Sequence, residues 1–477
     1  MFKNLIWDYI GRFGNFLVSF LISIVLTRLL TVSEFGIMAM VMVVITMAHI
    51  FMDMGFNRAI IQSRNVTSIQ LSTVFYINVF AAVFLMMLCF LIASPLAVFY
   101  KQPLIKPVFQ VISISFLLNG LNLIPSALIF KQLQIKVNSF ILLIASVFSG
   151  VVGIILAYNG FGVWSLVVQS LLSSFIVLVL NAWYIKWWPS WAFNFPSIKP
   201  LWHYGGRMFA SGLLDRLYTR LDSFIIGKLY SANTLGYYYR AQSMEGFVRT
   251  FSAGGIMETL FPYIARHQDD PVYLKQLYIK YLHFITFTSV ALSAILFLIS
   301  KDLFIFLFTD RWIYAARLFQ LMILGGILWP VSSLMVNIIS GVGNSKSFFR
   351  LEVYKKIILL PIYIFGFIWG LNGFIISFVG ACYICLILNM AFVSKEIDVS
   401  VKEQSAILGR YVITGIVTSL VSYWIFGLFG LESHIFRIII YTGVFSVLFL
   451  GSCYILKFPG IEIIFRLLSK LRSFISK

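Results

Sequence analysis

The sequence predicts an all-α, polytopic membrane protein with about 14 transmembrane helices, and three observations support this fold class. Of the 477 residues, 60% are hydrophobic and only 11% are charged, too little charge for the surface of a water-soluble protein. Apolar segments of about 20 residues, the length that crosses a bilayer, follow one another along the chain. Lysine and arginine residues cluster in alternate loops, as expected when successive helices cross a membrane in opposite directions.

The apolar segments predict the helices in order. The first is too long for a cleavable signal peptide and lacks a small-residue cleavage site, so we expect it to remain as the first membrane helix. Loops are short, and the longest polar interruptions are predicted at 184–207, 263–281 and 394–410. The predicted helices are 10–30, 36–54, 74–94, 108–129, 138–158, 161–183, 208–229, 235–262, 282–299, 315–340, 357–370, 373–393, 411–430 and 435–455.

The segment 186–207 is predicted to be a cytoplasmic linker at the membrane interface, because it is rich in tryptophan and proline. It separates an N-terminal lobe, residues 1–185, from a C-terminal lobe, residues 208–400, each with six helices. Residues 401–477 contribute two extra helices and a basic cytoplasmic tail. Because six is even, both lobes enter the membrane in the same direction, which is the parallel-repeat architecture of some transporters.

Two similar stretches 200 residues apart support this repeat. "VLTRLLTVSEFG" covers residues 25–36, and "IIGKLYSANTLG" covers residues 225–236. In this register Arg28 corresponds to Lys228 and Gly36 to Gly236, so each stretch combines a cation at a helix end with a polar turn and a glycine.

The net charge of +19 is distributed as the positive-inside rule requires. With the N-terminus in the cytoplasm, most lysines and arginines fall in cytoplasmic loops or at cytoplasmic helix ends, including Lys131 and the run from Lys346 to Lys356. This distribution predicts that both termini are cytoplasmic. It also removes the reason to expect a nucleic-acid partner.

No motif for enzymatic chemistry accompanies these helices. The sequence has no glycine-rich phosphate loop before a helix, no HExxH motif and no paired histidines, so we expect no cofactor, no metal and no enzymatic activity. Cys382 and Cys385 have CxxC spacing, but they lack a nearby histidine or further cysteine. We interpret them as small packing residues.

Charged residues inside the second-half helices are the strongest functional signal. Arg216, Arg220 and Asp222 lie in the seventh predicted helix, with Asp215 beside them, and Arg240, Glu245 and Arg249 lie in the eighth. A charged side chain at the centre of a membrane helix costs at least ~2–3 kcal/mol, and such residues face a wet cavity or one another. Two guanidinium groups on one helix face suit a phosphate or pyrophosphate. A structural ion pair between Glu245 and Arg249 is the alternative.

The first half contains fewer polar intrusions, namely Arg28, His49 and Asp53. Arg28 could instead extend its cation to the outer interface, and His49 could be a structural histidine with satisfied hydrogen bonds. Together the intramembrane charges predict a polar, net cationic cavity between the two lobes. Such a cavity suits an alternating-access carrier of a negatively charged substrate.

Several motifs resemble those of the polysaccharide transporter family. "ISIVLTRLLTVSEFG" and "FMDMGFNRAIIQ" resemble its N-terminal helical hairpin, with an R-L-L-x-x-x-x-[FY]-G pattern and then D-x-G. "LDSFIIGKLYSANTLGYYYRAQSM" and "LFPYIAR" resemble its second-half signature, while "GFGVWSLVVQ" and "DRW" also fit. The family belongs to the superfamily of multidrug, oligosaccharidyl-lipid and polysaccharide exporters. The resemblance implies two six-helix lobes around a V-shaped central cavity, plus two extra helices.

The function that this resemblance implies is a Wzx-type flippase in the bacterial cytoplasmic membrane. Such a protein moves undecaprenyl-pyrophosphate-linked oligosaccharide repeat units to the outer leaflet, among membrane lipids and with a glycan polymerase of the same pathway as a possible partner. By analogy, the pyrophosphate would be bound by cavity arginines, and a coupling ion by carboxylates. The candidates for the first role are Arg28, Arg216, Arg220, Arg240 and Arg249; those for the second are Asp53, Asp222 and Glu245.

Two alternative functions stay open from the sequence. A multidrug-type exporter of small molecules shares the fold, although the surplus of arginine over acid disfavours a cationic substrate. A membrane-embedded glycan polymerase or ligase would instead need essential residues in external loops, where Glu34 and Arg311 are candidates.

Overall fold

A computed structural model describes the chain over most of its length. The ranges that it describes are 2–63, 65–199, 201–202, 209, 222–249, 260, 263–264, 266–268, 270–342, 344–427 and 433–463. Within these ranges the regular structure is helical and contains no β-strand. The chain divides into two compact units, residues 1–239 and residues 240–477. The predicted lobe boundaries at 186–207 stay a prediction.

The first unit is built from long helices joined by short turns. Its helices are α1 (Phe2–Leu29), α2 (Val32–Asp53), α3 (Phe56–Gln62), α4 (Ser68–Phe99), α5 (Ile105–Ile112), α6 (Ile114–Lys131), α7 (Ile135–Tyr158) and α8 (Val163–Ile185), followed by a 3-10 turn (Phe195–Ile198) and a helical segment at 222–229. Helix α9 (Ala232–Arg249) begins in the first unit and ends in the second.

The second unit has the same character. After α9 it contains α10 (Pro271–Phe308), a 3-10 turn (Asp310–Trp312), α11 (Ile313–Gly326), α12 (Trp329–Gly341), α13 (Ser345–Ile397), α14 (Val401–Gly427) and α15 (His434–Ile455). A backbone kink divides α13 at Gly370, which has a positive φ of 73°. Glycine adopts this conformation without steric cost, so the kink separates the two helices predicted at 357–370 and 373–393.

The predicted fold class is confirmed. Within the described residues, ten helical segments are long and apolar enough to cross a membrane, and Phe13–Leu29 forms a shorter apolar helix. Most of the helix predicted at 208–229 and the second half of that predicted at 235–262 lie outside the described residues. The chain is therefore a multi-pass, all-α membrane protein.

Several features of the predicted helix pattern are wrong in detail, among them the polar interruption predicted at 263–281, because α10 already begins at Pro271. The polar interruption predicted at 394–410 shrinks to residues 398–400, because α13 continues through Lys395 and Glu396 and α14 already begins at Val401. Lysine and glutamate have high helix propensity, so a polar composition by itself does not end a helix. The helix predicted at 315–340 is two helices, with Pro330 in the first turn of the second.

Small residues set the packing of α1, α7 and α8 in the first unit. A Cβ atom added at Gly150 on α7 would overlap the side chain of Ile22 on α1. A Cβ atom at Gly153 would lie 3.0 Å from the Cβ of Gln169 on α8. Such close approach is typical of membrane helices, which gain little from burying apolar surface against each other and depend on tight packing.

The core of the second unit is centred on α10, and it contains satisfied polar groups. Tyr278 on α10 donates a 2.7 Å hydrogen bond to Oε1 of Gln404 on α14. The Gln404 amide in turn donates to the carbonyl oxygens of Met390 and Val399. Gln404 is fully buried, so this network ties α10, α13 and α14 together without leaving that amide group unpaired.

A buried carboxylate links the end of α10 to the start of α15. Asp302 is 7% exposed, and its Oδ1 lies 2.6 Å from Nδ1 of His434 and 3.8 Å from a guanidinium nitrogen of Arg437. We expect Asp302→Ala to destabilise the protein by about 0.5–1.5 kcal/mol, the usual net contribution of a hydrogen bond, because His434 and Arg437 are partly exposed and can bond to water instead. Unfolding can be followed with a thiol-reactive dye, because Cys453 on α15 is fully buried.

The exposed Asp310 is the matched control for this carboxylate, because it lies beyond the same end of α10. Asp310→Ala should leave the unfolding temperature unchanged. An equal loss of stability in both variants would contradict a specific role for Asp302.

Candidate functional site

The first unit contains a polar cavity of about 470 Å³ beside the end of α2 and the middle of α6, which we call the amide cavity. Its lining combines amide, carboxylate, imidazole, guanidinium and hydroxyl groups. The lining residues are His49, Ile50, Met52, Asp53, Gly55, Asn57, Arg58, Asn119, Asn122, Leu123, Ser126 and Phe209.

Local backbone geometry brings Asn57 and Arg58 back to this cavity. Helix α2 ends at Asp53, Met54 is left-handed with φ 45°, and Gly55 follows with φ 77°. Gly55 adopts this conformation without the penalty that a Cβ would bring. Oδ1 of Asp53 then accepts a 3.2 Å hydrogen bond from the Asn57 backbone, which stabilises the first turn of α3. The D-x-G motif of the sequence is therefore the turn that shapes one wall of the cavity.

Helix α6 supplies the opposite wall. Asn119, Asn122 and Ser126 are spaced i, i+3 and i+7, so they share one helix face. Oδ1 of Asn122 accepts a 2.8 Å hydrogen bond from the amide of Asn181 on α8, which is 1% exposed. This bond orients the Asn122 side chain. The cavity thus offers hydrogen-bond donors and acceptors of both neutral and charged kinds.

The sequence prediction found part of this site and missed the rest. His49 and Asp53 were predicted as polar intrusions, and both line the amide cavity. Asn119, Asn122 and Ser126 were not predicted, because the candidates were chosen for their charge and these three side chains are neutral. Their spacing within an apolar helix is the signal that could have identified them.

A second cavity, of about 410 Å³, lies between α1, α2, α7 and α8, and we call it the serine cavity. Phe35, Met38 and Met42 of α2 line it, and His49 of the amide cavity follows Met42 by seven residues. Seven residues are nearly two helical turns, so one face of α2 lines both cavities about 10 Å apart. The lining residues are Ser19, Ile22, Phe35, Met38, Met42, Ser146, Ser149, Leu166, Gln169, Ser170, Ser173, Ser174 and Tyr239.

The two arginines predicted as site residues on α9 do not converge. Arg240 is 2% exposed, and its guanidinium carbon lies 4.6 Å from the ring centre of Phe308 and 5.8 Å from that of Trp312, a cation–π arrangement. Arg240 and Arg249 are nine residues apart, which places them on opposite faces of the helix. The two arginines therefore point away from each other along α9.

Glu245 and Arg249 form an ion pair within α9. Glu245 is 3% exposed, and its Oε1 accepts a 2.5 Å hydrogen bond from Nε of Arg249. The Arg249 guanidinium also lies 5.4 Å from the ring centre of Trp329. The pair matches the structural alternative considered from the sequence, and roles for either residue in substrate or ion binding stay predictions.

Two further predicted site residues, Arg28 and Asp222, are described by the structure, and neither lines one of the two cavities. Arg28 is exposed in the last turn of α1. Asp222 is half-buried, and its carboxylate accepts 2.6 Å hydrogen bonds from the Tyr238 hydroxyl and from its neighbour's backbone. Arg216 and Arg220 lie outside the described residues, as does Asp215. Binding roles for all of them stay predictions.

The two repeated stretches meet in the first unit. Thr31 caps α2 in a capping box with Glu34, and Ser231 accepts the matching hydrogen bond from the Thr234 backbone at the start of α9. A Cβ atom at Gly36 would overlap the carbonyl oxygen of residue 232, and a Cβ atom at Gly236 would overlap that of residue 32. The two helix starts therefore pack against each other reciprocally, through corresponding glycines.

Lys228, the counterpart of Arg28 in the repeat, has a structural partner. Its Nζ donates a 2.8 Å hydrogen bond to the carbonyl oxygen of Phe99, the last residue of α4, and lies 3.9 Å from the centre of the Phe99 ring. A cation at a helix C-terminus is stabilised by the helix dipole. Lys228 therefore caps α4.

Comparison with known proteins identifies the family. The sequence matches the family model described as polysaccharide biosynthesis protein over residues 25–317, more than half of the chain. It is 22% identical over 401 residues to an uncharacterized membrane protein in the cps region of Klebsiella pneumoniae, which covers 83% of this chain and 82% of that protein. It is also 21% identical to the succinoglycan biosynthesis transport protein ExoT of Rhizobium meliloti, covering 77% of this chain and 74% of the relative.

A solved structure agrees at the level of the fold. The lipid II flippase MurJ in its inward closed conformation superposes with a TM-score of 0.77 at 13% identity, covering 94% of this chain and 99% of that one. The all-helical membrane fold, its order of motifs and the family match lead to one conclusion. The chain belongs to the polysaccharide biosynthesis protein family.

Proposed function

We propose that the protein is a flippase that moves undecaprenyl-pyrophosphate-linked oligosaccharide repeat units across the bacterial cytoplasmic membrane by alternating access. The observation that carries this proposal is the amide cavity, a polar cavity inside a membrane-spanning unit. Its amide, carboxylate and guanidinium groups suit a substrate with both sugar hydroxyls and phosphate oxygens. The lipid chain of such a substrate can stay in the bilayer while the head group passes through the protein.

The relatives support the same class of substrate. The matching family model is described as polysaccharide biosynthesis protein, and the name of the relative ExoT refers to succinoglycan biosynthesis and transport. The arrangement of lysines and arginines supports an orientation with both termini in the cytoplasm. In that orientation α2 ends on the cytoplasmic side, and we propose that lipid-linked units enter the amide cavity from this side.

We also propose that transport is coupled to a proton or cation, with Asp53 as the favoured carboxylate. Asp53 lines the amide cavity, whereas Glu245 and Asp222 are not among its described lining residues. A carboxylate in a wet membrane cavity can bind a cation in one state of the transport cycle and release it in another.

A glycan polymerase is a less suitable interpretation of the external residues. Oε2 of Glu34 accepts a 2.6 Å hydrogen bond from the Thr31 backbone, and Glu34 is therefore used as a helix cap. A multidrug-type exporter has no specific observation in its favour.

The test is a strain that lacks the protein, in which the leaflet location of lipid-linked repeat units is measured. We expect complete units to accumulate on the cytoplasmic side and to be released by the wild-type gene. Asp53→Asn keeps the oxygen that caps α3 but removes the charge, and it should slow export at least about tenfold, the factor that 1.4 kcal/mol represents.

Asp398→Asn is the matched control for this substitution. Asp398 is an exposed carboxylate with φ 52°, a conformation that asparagine also tolerates, so export should stay at the wild-type rate. Units that reach the outer leaflet of the deletion strain and stall there unpolymerised would contradict the flippase and indicate a polymerase or ligase.

A further inference from the structure

We propose that the serine cavity binds uncharged, hydroxyl-rich sugar residues of the translocated glycan. This inference rests on the proposed function, and it adds a second subsite of different chemistry to the amide cavity. Each subsite binds a different part of one substrate. The amide cavity binds its ionic groups, and the serine cavity binds its neutral sugars.

The first observation is that the serine cavity contains polar groups that the protein does not use. Within the described part of the chain, Ser19, Gln169, Ser170, Ser173 and Ser174 make no hydrogen bond to another protein group. Their side-chain atoms are not enclosed by protein either, since all five residues are half-buried or exposed where they line the cavity. These groups are therefore available to a ligand.

Other hydroxyl groups in the same protein behave differently. Thr46 donates to the carbonyl oxygen of Met42 at 2.7 Å, and Ser340 donates to that of Val336 at 2.9 Å. A serine or threonine hydroxyl group in a membrane helix commonly donates a hydrogen bond in this way to the backbone carbonyl oxygen one turn earlier. The hydroxyl groups of Ser170, Ser173 and Ser174 do not, although α8 offers them the same carbonyls.

The second observation is the absence of ionic charge. Among the described residues that line the serine cavity there is no aspartate, glutamate, lysine, arginine or histidine. Hydroxyl and amide groups both donate and accept hydrogen bonds, which matches the hydroxyl groups of a neutral sugar. A pyrophosphate or a uronic acid would lose its hydration here without gaining a counter-charge.

The third observation is the shape and position of the cavity. Its volume of about 410 Å³ falls in the usual range of about 300–1,000 Å³ for small-molecule sites. Phe35, Met38 and Met42 give it an apolar wall against which the C–H face of a sugar ring can pack, and methionine adapts to irregular shapes. Because the same face of α2 lines the amide cavity, a glycan whose charged end lies there can extend along α2 into the serine cavity.

The experiment measures binding to the full-length protein in lipid nanodiscs. The ligands are polyprenyl pyrophosphate alone, the same lipid carrying a neutral disaccharide, and the same lipid carrying a disaccharide of uronic acids. We expect the neutral disaccharide to strengthen binding about tenfold over the bare lipid, since a few hydrogen bonds of about 1 kcal/mol each suffice for this. The uronic acid disaccharide should give no such gain.

Two double variants of equal size isolate the hydroxyl groups. Valine and threonine have nearly the same shape, so Ser170→Val with Ser173→Val removes two hydroxyl groups that Ser170→Thr with Ser173→Thr retains. The valine variant should lose the gain from the neutral disaccharide while it binds the bare lipid pyrophosphate as the wild type does. The threonine variant should keep the gain.

The outcomes separate this inference from the proposed function. Equal binding of bare and glycosylated lipid by the wild type would overturn the sugar subsite and leave the flippase standing. Retention of the gain by the valine variant would also overturn it. Failure of all three lipids to bind would contradict the proposed function, and with it the inference that rests on it.

Discussion

Replacing Gly36 with leucine is expected to abolish export of lipid-linked units and to lower the stability of the protein. Any side chain at this position overlaps the backbone carbonyl of Ala232, and backbone cannot move aside as a flexible side chain can. Overpacking of this kind typically costs about 1–3 kcal/mol. Gly236→Leu should have the same effect, because the Gly236 position faces the carbonyl of Val32 in the same way. Both losses can be measured as export in the deletion strain and as the thermal unfolding temperature.

The double variant and a control make this prediction specific. Since both glycines serve one contact, Gly36→Leu with Gly236→Leu should be less destabilising than the sum of the single variants. Gly443→Leu on α15 is the control, because a Cβ atom there meets nothing within 4 Å. Wild-type export by Gly36→Leu would show that the close crossing of α2 and α9 is not required.

Glu245→Ala is expected to cause the largest loss of stability among the predicted charged residues. Glu245 is buried, and its removal leaves the Arg249 guanidinium without the carboxylate that neutralises it. Breaking a buried ion pair costs about 3–5 kcal/mol, and we expect about 2–3 kcal/mol here because the Arg249 side chain is 33% exposed to screening solvent. The thiol-reactive dye assay measures this loss through the buried Cys385 and Cys453.

A double-mutant cycle distinguishes the ion pair from the burial of Glu245 alone. Glu245→Ala with Arg249→Ala removes both charges and should be more stable than Glu245→Ala by itself. Glu245→Gln keeps an acceptor for Nε of Arg249 but loses the neutralising charge, so its stability should fall between those of the wild type and Glu245→Ala. Additive effects of the two alanine substitutions would contradict an energetic coupling between the residues.

The sequence by itself determines the fold class and the local ends of the helices. Hydropathy identifies membrane helices because every apolar segment of sufficient length is driven into the bilayer, whatever its neighbours are. Capping signals are equally local, and Thr31 with Glu34 begins α2 through hydrogen bonds within four residues. The kink at Gly370 and the turn at Gly55 follow from the conformational freedom of single glycines.

The composition of the sites depends on the tertiary structure. Lipid and protein interior are equally apolar, so hydropathy cannot tell which face of a membrane helix meets a neighbouring helix and which meets lipid. Asp53 and Asn122 come together only because α2 and α6 pack side by side, and the serine cavity exists only where α1, α2, α7 and α8 meet. The sequence therefore shows that burying the Arg240 charge in a membrane costs free energy. Only the packing shows that the rings of Phe308 and Trp312 lie against its guanidinium group.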